Sequence, residues 1–264
     1  MSAMDPIVPD SSDVVEHFTE RAAHYDSSSR WCTDLGMMGR LRQLAAPYTV
    51  DRMLDVACGT GLVSKAFRDA ANTVIGIDLT PAMAMRSLRW LDMLLLGSAE
   101  ALPFRDEAFD LTICRQGIQF MDAVLVAREM VRVTRAGGRV VLANLCAYGD
   151  EDKQEYFEIL HLRNPARRGF FVPDDLRLLL HEAGCRDVQI HYHVSKEDVA
   201  LWSENRAITE EQCEEILALY RNASPAFKKL HGVQYLDGGR IVDHMLFSIL
   251  VGIPSRAALL QTSV

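Results

Sequence analysis

Two carboxylates stand near the ends of successive apolar runs, and glycines follow the first of them. Asp55 lies in an apolar run that leads into Gly59 and Gly61, and Asp78 closes the next apolar run. Parallel strands of an α/β sheet end along one edge, where ligands bind. Glycines without a Cβ let the backbone turn tightly beside a ligand, and a carboxylate at a strand tip can accept both hydroxyls of a ribose. The pattern therefore predicts a site for an adenosine-bearing cofactor.

The residues around the glycine turn favour one such cofactor. Ser64 stands where a dinucleotide fingerprint requires its third glycine, and no Gly-Lys-Ser/Thr follows the turn, which excludes a P-loop. Asp55 would repel a pyrophosphate but attract a cation. S-adenosylmethionine carries both a sulfonium and an α-ammonium. The sequence therefore favours S-adenosylmethionine over NAD, with S-adenosylhomocysteine as the product.

The elements that must position these residues alternate between strand and helix. Periodicity and turn residues predict strands at 53–56, 73–77, 93–96, 110–114 and 139–145, with helices at 62–71, 81–90 and 123–134 between them. This order predicts a parallel sheet with helices on both faces. Two helices, at 12–25 and 31–46, precede the sheet. Further predicted elements are helices at 173–184 and 209–220 and strands at 187–194 and 240–252.

Composition limits the function classes. The 264 residues carry a net charge of −8, which argues against a general nucleic-acid binder. The six cysteines show neither redox-pair nor zinc-site spacing, so we predict no metal site. The longest strongly apolar stretch, 245–253, is too short to span a bilayer, and the N-terminus lacks signal-peptide features. We therefore expect a cytoplasmic protein without a membrane span.

Five blocks of the sequence carry a family resemblance. The chain resembles the class I S-adenosylmethionine-dependent methyltransferases, and more narrowly the type-11 group of small-molecule enzymes. That group includes the ubiquinone/menaquinone ring methyltransferases and the malonyl-carrier-protein O-methyltransferase of biotin synthesis. The matching blocks lie at 54–61, 76–83, 99–104, 109–110 and 128–139. Residues 18–26 are also similar to the opening of both subfamilies, where the segment folds over the cofactor.

The resemblance implies a Rossmann-like, seven-stranded, mostly parallel sheet with an antiparallel last strand near 240–252. We expect a single domain over 1–264, with helical lid insertions at about 147–172 and 196–238. In this prediction residues 1–46 form an N-terminal helical cover, 47–146 the cofactor-binding half, and 147–264 the C-terminal half.

The same resemblance assigns roles around the cofactor. Asp55 should bind the methionine part, Asp78 the ribose hydroxyls, and Tyr25 should cover the ligand. Arg115, at the end of the fourth strand, should bind the cofactor carboxylate or an anionic substrate. The other expected cofactor-binding residues are Ala57, Gly59, Gly61, Leu79, Met83, Ser98, Ala99, Glu100 and Cys114. Ser98 replaces the Asp or Asn that relatives carry, and is a weaker partner for the adenine amine.

Catalysis by such an enzyme rests on positioning and desolvation, because the methyl carbon is already activated. A protein base is needed only if the nucleophile arrives protonated. Candidate bases are His24, Tyr25, His161, His231 and Tyr235, with His24 and His161 ranked first. Arg115 completes the expected catalytic set. The segment 163–171 places cations beside aromatics. It can receive a carboxylate, a phosphate or an acidic carrier protein, although a solvated basic loop is the commoner explanation.

Three functions remain open from the sequence. The first is methyl transfer to O, N or C of a small organic acceptor, with an aromatic or quinone-like acceptor favoured. The second is carboxyl O-methylation of a free or carrier-protein-bound acid. The third is a non-catalytic, S-adenosylmethionine-binding regulatory subunit. The expected partners are a small-molecule acceptor and an acyl carrier protein in the second case, with the chain as a monomer or homodimer.

Overall fold

A computed structural model describes residues 10–46 and 48–255; the outer ends of the predicted domain and residue 47 lie outside this range. Within it, eight strands form one sheet in the order β3-β2-β1-β4-β5-β8-β6, and β7 pairs with β8. The strands are β1 Val50–Val56, β2 Ala71–Asp78, β3 Met93–Leu96, β4 Phe109–Arg115, β5 Thr134–Cys146, β6 Cys185–Asp198, β7 Gln234–Tyr235 and β8 Ile241–Pro254.

The strand directions confirm the predicted fold class. Strands β1 to β5 run parallel to one another, whereas β8 is antiparallel to both β5 and β6. The one departure is β7, a two-residue strand that the sequence did not predict. It pairs with the start of β8 and brings the described sheet to eight strands rather than seven.

The seven helices with predicted bounds are present in the predicted order, but several are shorter. The described helices are α1 Ser11–Arg21, α2 Leu35–Ala45, α3 Leu62–Phe67, α4 Pro81–Ala84, α5 Ala123–Val133, α6 Lys153–Arg163, α7 Pro173–Glu182, α8 Val199–Ser203, α9 Glu210–Asn222 and α10 Pro225–Leu230. Three of these, α6, α8 and α10, are further helices that lie in the predicted lid insertions. The prediction that the first helix reaches Tyr25 is wrong. The Ser27 and Ser28 hydroxyls donate to local backbone carbonyls, which favours a 3₁₀ turn over continued α-helix.

Helices on both faces of the sheet follow from side-chain alternation along the central strands. Leu54 and Val56 of β1 join a core beneath α5 and α7. Met53, one position earlier, faces the opposite core, where α2 and α3 contribute Leu41 and Phe67. Within residues 10–46 and 48–255, no helix is both long enough and apolar enough to cross a membrane.

The segments predicted as lid insertions have a core of their own. Helices α6, α8, α9 and α10 contribute Tyr156, Trp202, Tyr220 and Phe227, all fully buried. The same cluster contains Trp31 from the N-terminal segment and residues of β8. These two segments, 147–172 and 196–238, which we call the lid, are therefore packed against both the N-terminal segment and the sheet.

Candidate active site

A cavity of about 960 Å³, part of it open to solvent, lies where β1, β2 and β4 end. It brings together most of the residues that the sequence assigned to the cofactor. The predicted residues that line it are Tyr25, Asp55, Ala57, Gly59, Asp78, Leu79, Met83, Ser98, Ala99, Glu100 and Arg115. The site therefore forms at the sheet edge where the alternating strand and helix pattern placed it.

Two residues expected to bind the cofactor do not line this cavity. The Cys114 side chain is buried in the core beneath α5. Gly61 has φ +84°, and a Cβ there would lie 2.8 Å from the Cβ of Ser87. A glycine is required at this position because the turn packs against the segment after α4.

Asp55 is buried at the floor of the cavity. Its Oδ2 accepts hydrogen bonds from the Ser64 amide at 3.0 Å and the Ser64 hydroxyl at 2.5 Å. Burial raises the pKa of Asp55 to about 7, and the neighbouring Asp78 adds to the rise. The serine that breaks the dinucleotide fingerprint is thus the residue that orients Asp55. A cation placed here would favour the ionised carboxylate.

Asp78 fixes the glycine turn to the tip of β2. Its Oδ2 accepts from the Gly59 amide at 2.8 Å, and its Oδ1 accepts from the Thr80 amide at 2.8 Å. Burial raises the pKa of Asp78 despite these bonds. The two backbone donors hold the carboxylate in one orientation beside the cavity.

Two of the five non-glycine residues with left-handed backbone in the described segments lie at the same edge. Ala57, after β1, has φ +54°, and Gln116, after β4, has φ +55°. A Cβ on Gly117 would lie 2.6 Å from the Cβ of Ala57, so the two strand ends pack against each other. Left-handed backbone at non-glycine residues costs on the order of 1–3 kcal/mol and is common at functional sites.

Arg115, at the end of β4, supplies a buried positive charge to the same cavity. Its Nη2 donates to the Trp31 carbonyl at 2.7 Å, and its guanidinium carbon lies 5.1 Å from the centroid of the Trp31 ring. The Nε of Arg115 is buried and has no hydrogen-bond partner. In the part of the chain that the structure describes, no carboxylate pairs with Arg115, so its charge is available to an anionic ligand.

A second, smaller cavity of about 370 Å³ adjoins the first beneath the lid. The two cavities share Phe18, Tyr25, Gln116 and Phe120. The remaining lining residues are Arg21, Trp31, Gln119, Leu145, Leu160, Arg163, Asn164, Arg167 and Trp202. Because Arg163 and Arg167 are buried, the interpretation of 163–171 as a solvated basic loop is wrong for these two arginines.

Among the proposed catalytic residues, Tyr25 and Arg115 reach the site. Tyr25 lies between the two cavities, and burial raises its pKa to about 12. It therefore keeps its proton at neutral pH and can donate a hydrogen bond rather than accept a proton. His24 and His161 are exposed and line neither cavity.

The two remaining candidate bases, His231 and Tyr235, line neither of these two cavities. His231 is fully buried between Asp152 and Asp243, with both ring nitrogens 2.9 Å from a carboxylate oxygen. The Tyr235 hydroxyl donates to the Tyr220 carbonyl at 2.8 Å. No histidine of the described segments lines either cavity, so an acceptor bound there finds no imidazole base.

Some lining residues were missed from the sequence. Val14 of α1 lines the cavity with Phe18, but at helical spacing the pair looks like ordinary core. Thr60 also lines it, and its hydroxyl donates to Asp26 at 2.5 Å. Its place inside the glycine turn could have indicated this. Arg168 belongs to the cationic segment 163–171 that the sequence singled out, but its place at the cofactor cavity was not predicted, because it depends on the fold of the lid.

Comparison with known proteins agrees with this architecture. Residues 54–142 match the family described as a methyltransferase domain. The chain is 31% identical over 137 residues to a malonyl-[acyl-carrier protein] O-methyltransferase of Serratia marcescens, covering 51% of this chain and 53% of that protein. It is also 31% identical over 146 residues to the uncharacterized methyltransferase YcgJ of Bacillus subtilis, covering 50% and 55%.

A solved structure supports the same fold. The crystal structure of the Bacillus subtilis YcgJ protein superposes with a TM-score of 0.77 at 20% identity, covering 84% of this chain and 99% of that one. The matches span about half the length of the curated relatives. The family resemblance predicted from the sequence is confirmed for residues 54–142, which match a methyltransferase domain.

Proposed function

We propose that this chain transfers a methyl group from S-adenosylmethionine to a small organic acceptor. The observation that carries the proposal is the convergence of Asp55, Asp78 and Arg115 on one cavity. These residues match the groups of the ligand: one carboxylate faces a cationic group, the other faces the diol of a ribose, and the arginine faces a carboxylate. The methyltransferase domain that contains these residues supports the same chemistry.

The polar atoms of the cavity fit this cofactor. Within the described residues, the hydrogen bonds to Asp55 reach only its Oδ2, which leaves Oδ1 for a ligand ammonium. The buried Nε of Arg115 and Nε2 of Gln116 lack partners and can donate to a carboxylate. Asp78 is already oriented by two amides and can accept the hydroxyls of a ribose.

The cofactor supplies a methyl carbon that is activated by positive sulfur. The chain's own residues then bind and orient the cofactor and the acceptor, and they exclude water. Phe18 and Tyr25 lie between the two cavities and can align an acceptor with the donor, which is the main contribution expected for an in-line displacement. We propose α1 and the turn after it as the cover that keeps water out, because Val14 and Phe18 line the cavity.

The acceptor is proposed to present a nucleophile that needs no histidine base. A carboxylate satisfies this condition without proton transfer, as does an acidic phenol that is ionised in solution. The relative named malonyl-[acyl-carrier protein] O-methyltransferase favours carboxyl methylation as the second candidate. Aromatic or quinone-like acceptors remain the first, because Phe18, Phe120 and Trp202 supply aromatic walls.

Transfer of label from methyl-tritiated S-adenosylmethionine tests the proposal. We expect label to enter an acceptor from pools of phenols, aromatic acids or malonyl-carrier protein. Mild base separates the two candidates, because it releases a methyl ester as volatile methanol and leaves ether, amine and carbon methyl groups bound. Tight cofactor binding without transfer to any pool would instead favour a non-catalytic binding subunit.

The same assay shows whether Arg115 binds the cofactor or the acceptor. If Arg115→Met raises the KM for S-adenosylmethionine alone, the arginine binds the cofactor carboxylate. If it raises the KM for the acceptor alone, the arginine binds the substrate. Arg177→Met is the matched control, because Arg177 is an exposed arginine of α7 paired with Asp174, and we expect it to change neither constant.

A further inference from the structure

Three buried arginines line the second cavity without a carboxylate beside them. Arg21, Arg163 and Arg167 are 3%, 6% and 5% exposed. Among the ion pairs of residues 10–46 and 48–255, none involves any of the three. Burial raises the pKa of the acid Glu197, and the charge of Arg163 opposes that rise, but Glu197 forms no ion pair with Arg163 among the described residues. Its oxygens already accept from the Arg30 and Trp31 amides and the Ser195 hydroxyl.

Protein acceptors satisfy these guanidinium groups only in part. Arg21 Nη1 lies 3.3 Å from His17 Nε2, and Arg167 Nη1 lies 3.5 Å from the Gly169 carbonyl. The Nε atoms of both arginines are buried and have no partner. Arg163 is better bound, through Nε to the Trp202 carbonyl at 2.9 Å. Several N–H donors of the cavity wall are therefore left for a ligand.

The electrostatics of the cluster are unfavourable without an anion. Burial lowers the pKa of Arg163 to about 9, and repulsion from Arg21 adds to the effect. Burial likewise lowers the pKa of Arg167 to about 10. Charges that are buried and unpaired destabilise a fold strongly, so the arrangement is explained most simply by a ligand that brings negative charge.

Aromatic rings surround the same cations. The guanidinium carbon of Arg163 lies 4.4 Å from the centroid of the Trp202 ring, and that of Arg167 lies 5.9 Å from the centroid of Phe120. Such stacking fixes the planar fork that binds a carboxylate or phosphate through two parallel hydrogen bonds. The rings also provide walls for an apolar ligand body.

We infer that the second cavity is an anion-binding subsite: Arg21, Arg163 and Arg167 bind a carboxylate or phosphate group on an acceptor with an aromatic or otherwise apolar body. Calling this ligand the acceptor rests on the proposed function. Because Tyr25 and Gln116 line both cavities, the rest of such a molecule lies beside the cofactor cavity. The inference thus narrows the acceptor to an anionic compound.

Calorimetry on protein saturated with S-adenosylhomocysteine tests the subsite. Phenyl phosphate and benzoate are titrated in a phosphate-free buffer, with neutral benzyl alcohol as the uncharged probe. We expect at least one anion to bind and benzyl alcohol to bind at least tenfold more weakly. Preference for phenyl phosphate identifies a phosphate group, and preference for benzoate identifies a carboxylate. Equal affinity for benzyl alcohol, or no binding of either anion, would overturn the inference.

Two variants locate the binding. Arg21→Met and Arg167→Met should each weaken anion binding by about tenfold or more, while the exposed control Arg177→Met leaves it unchanged. The affinity for S-adenosylhomocysteine should stay within twofold in all three variants. If it falls together with anion binding, the arginines belong to the cofactor site and the inference is wrong.

The proposed methyl transfer and the proposed anion-binding subsite can be refuted independently of each other. If the wild-type protein does not bind S-adenosylhomocysteine, the proposed function fails. The titration of anions into the protein without that ligand then still decides whether the arginine cavity binds them.

Discussion

Two buried charged clusters, one in the lid and one beneath it, differ in how their charges are paired. In the first, His231 lies between Asp152 and Asp243, and the Tyr220 hydroxyl donates to Asp243 at 2.6 Å. In the second, the three arginines of the smaller cavity have no carboxylate partner among the described residues. A cluster whose charges are paired within the protein stabilises the fold. A cluster whose charges are unpaired can bind a ligand of opposite charge.

The histidine cluster ties the lid helices to β8. His231 follows α10 and stacks on Phe227, with ring centroids 4.0 Å apart and an interplanar angle of 10°. Burial alone would lower the pKa of His231, but hydrogen bonds to Asp152 and Asp243 raise it to about 9. His231 is therefore charged at neutral pH, which makes it a structural cation rather than the base that the sequence suggested.

The largest expected effect comes from removing one partner of the paired cluster. Asp243→Ala leaves the buried His231 with one carboxylate and the Tyr220 hydroxyl with none. We expect the free energy of unfolding, measured in urea, to fall by about 3–5 kcal/mol. Asp150→Ala is the control, since that carboxylate is 85% exposed, and it should change stability by at most about 0.5 kcal/mol. Similar values for both variants would show that the pairing does not stabilise the fold.

The paired cluster also predicts how stability depends on pH. The pKa of His231 rises from about 6.5 in the unfolded chain to about 9 in the folded one. Its contribution is complete below pH 6.5 and is lost as the pH rises through 9, by roughly 3 kcal/mol. Urea denaturation of the wild type and His231→Gln between pH 6 and 10 measures the difference. A wild type that loses no more stability than His231→Gln would contradict the assigned charge.

For the unpaired arginine cluster we expect a substitution to raise the free energy of unfolding rather than lower it. Arg167→Met removes a buried cation and keeps most of the side-chain volume. We expect the ligand-free protein to gain about 1–2 kcal/mol in the free energy of unfolding, as found when buried charges are replaced by apolar residues. Arg177→Met, on the surface, should be neutral. A loss comparable to that of Asp243→Ala would mean that the arginines are structural after all.

The smallest expected effect concerns the exposed histidines. His24→Ala and His161→Ala should leave kcat within about twofold of the wild type, because neither residue lines the cofactor cavity or the second cavity. The labelled-methyl assay measures this once an acceptor has been found. A loss of tenfold or more in either variant would restore that histidine as a candidate base.

The cofactor cavity was largely predictable from the sequence because its parts are local. Asp55 and Asp78 each end an apolar run, and parallel strands bring such ends to one edge. Ser64 follows from the same turn, although its role as the partner of Asp55 required the structure. Gly61 has a packing reason that the sequence did not show, since a Cβ there would meet Ser87, 26 positions further along the chain.

The second cavity could not be predicted, because its residues come together only through long-range packing. Arg21 lies on a helix before the sheet, and Arg163 and Arg167 lie after it. The sequence did indicate that 163–171 can receive an anion, although a solvated basic loop was the commoner explanation, and it gave no sign that Arg21 joins this segment. Their burial depends on aromatic rings from several segments, such as Trp202 beside Arg163 and Phe120 beside Arg167. Likewise, His231 pairs with Asp152, which lies 79 positions away, and no local sequence pattern predicts this pair.

The central claim, that Asp78 and its neighbours bind the adenosine-bearing cofactor, is tested most directly by calorimetry with S-adenosylhomocysteine. The wild type should bind, and Asp78→Ala should raise the Kd by about tenfold or more, the loss of charge-assisted hydrogen bonds worth ~1.5–3 kcal/mol. Asp150→Ala serves as the surface control and should bind like the wild type. An unchanged Kd in a well-folded Asp78→Ala protein, or no binding by the wild type, would contradict the account.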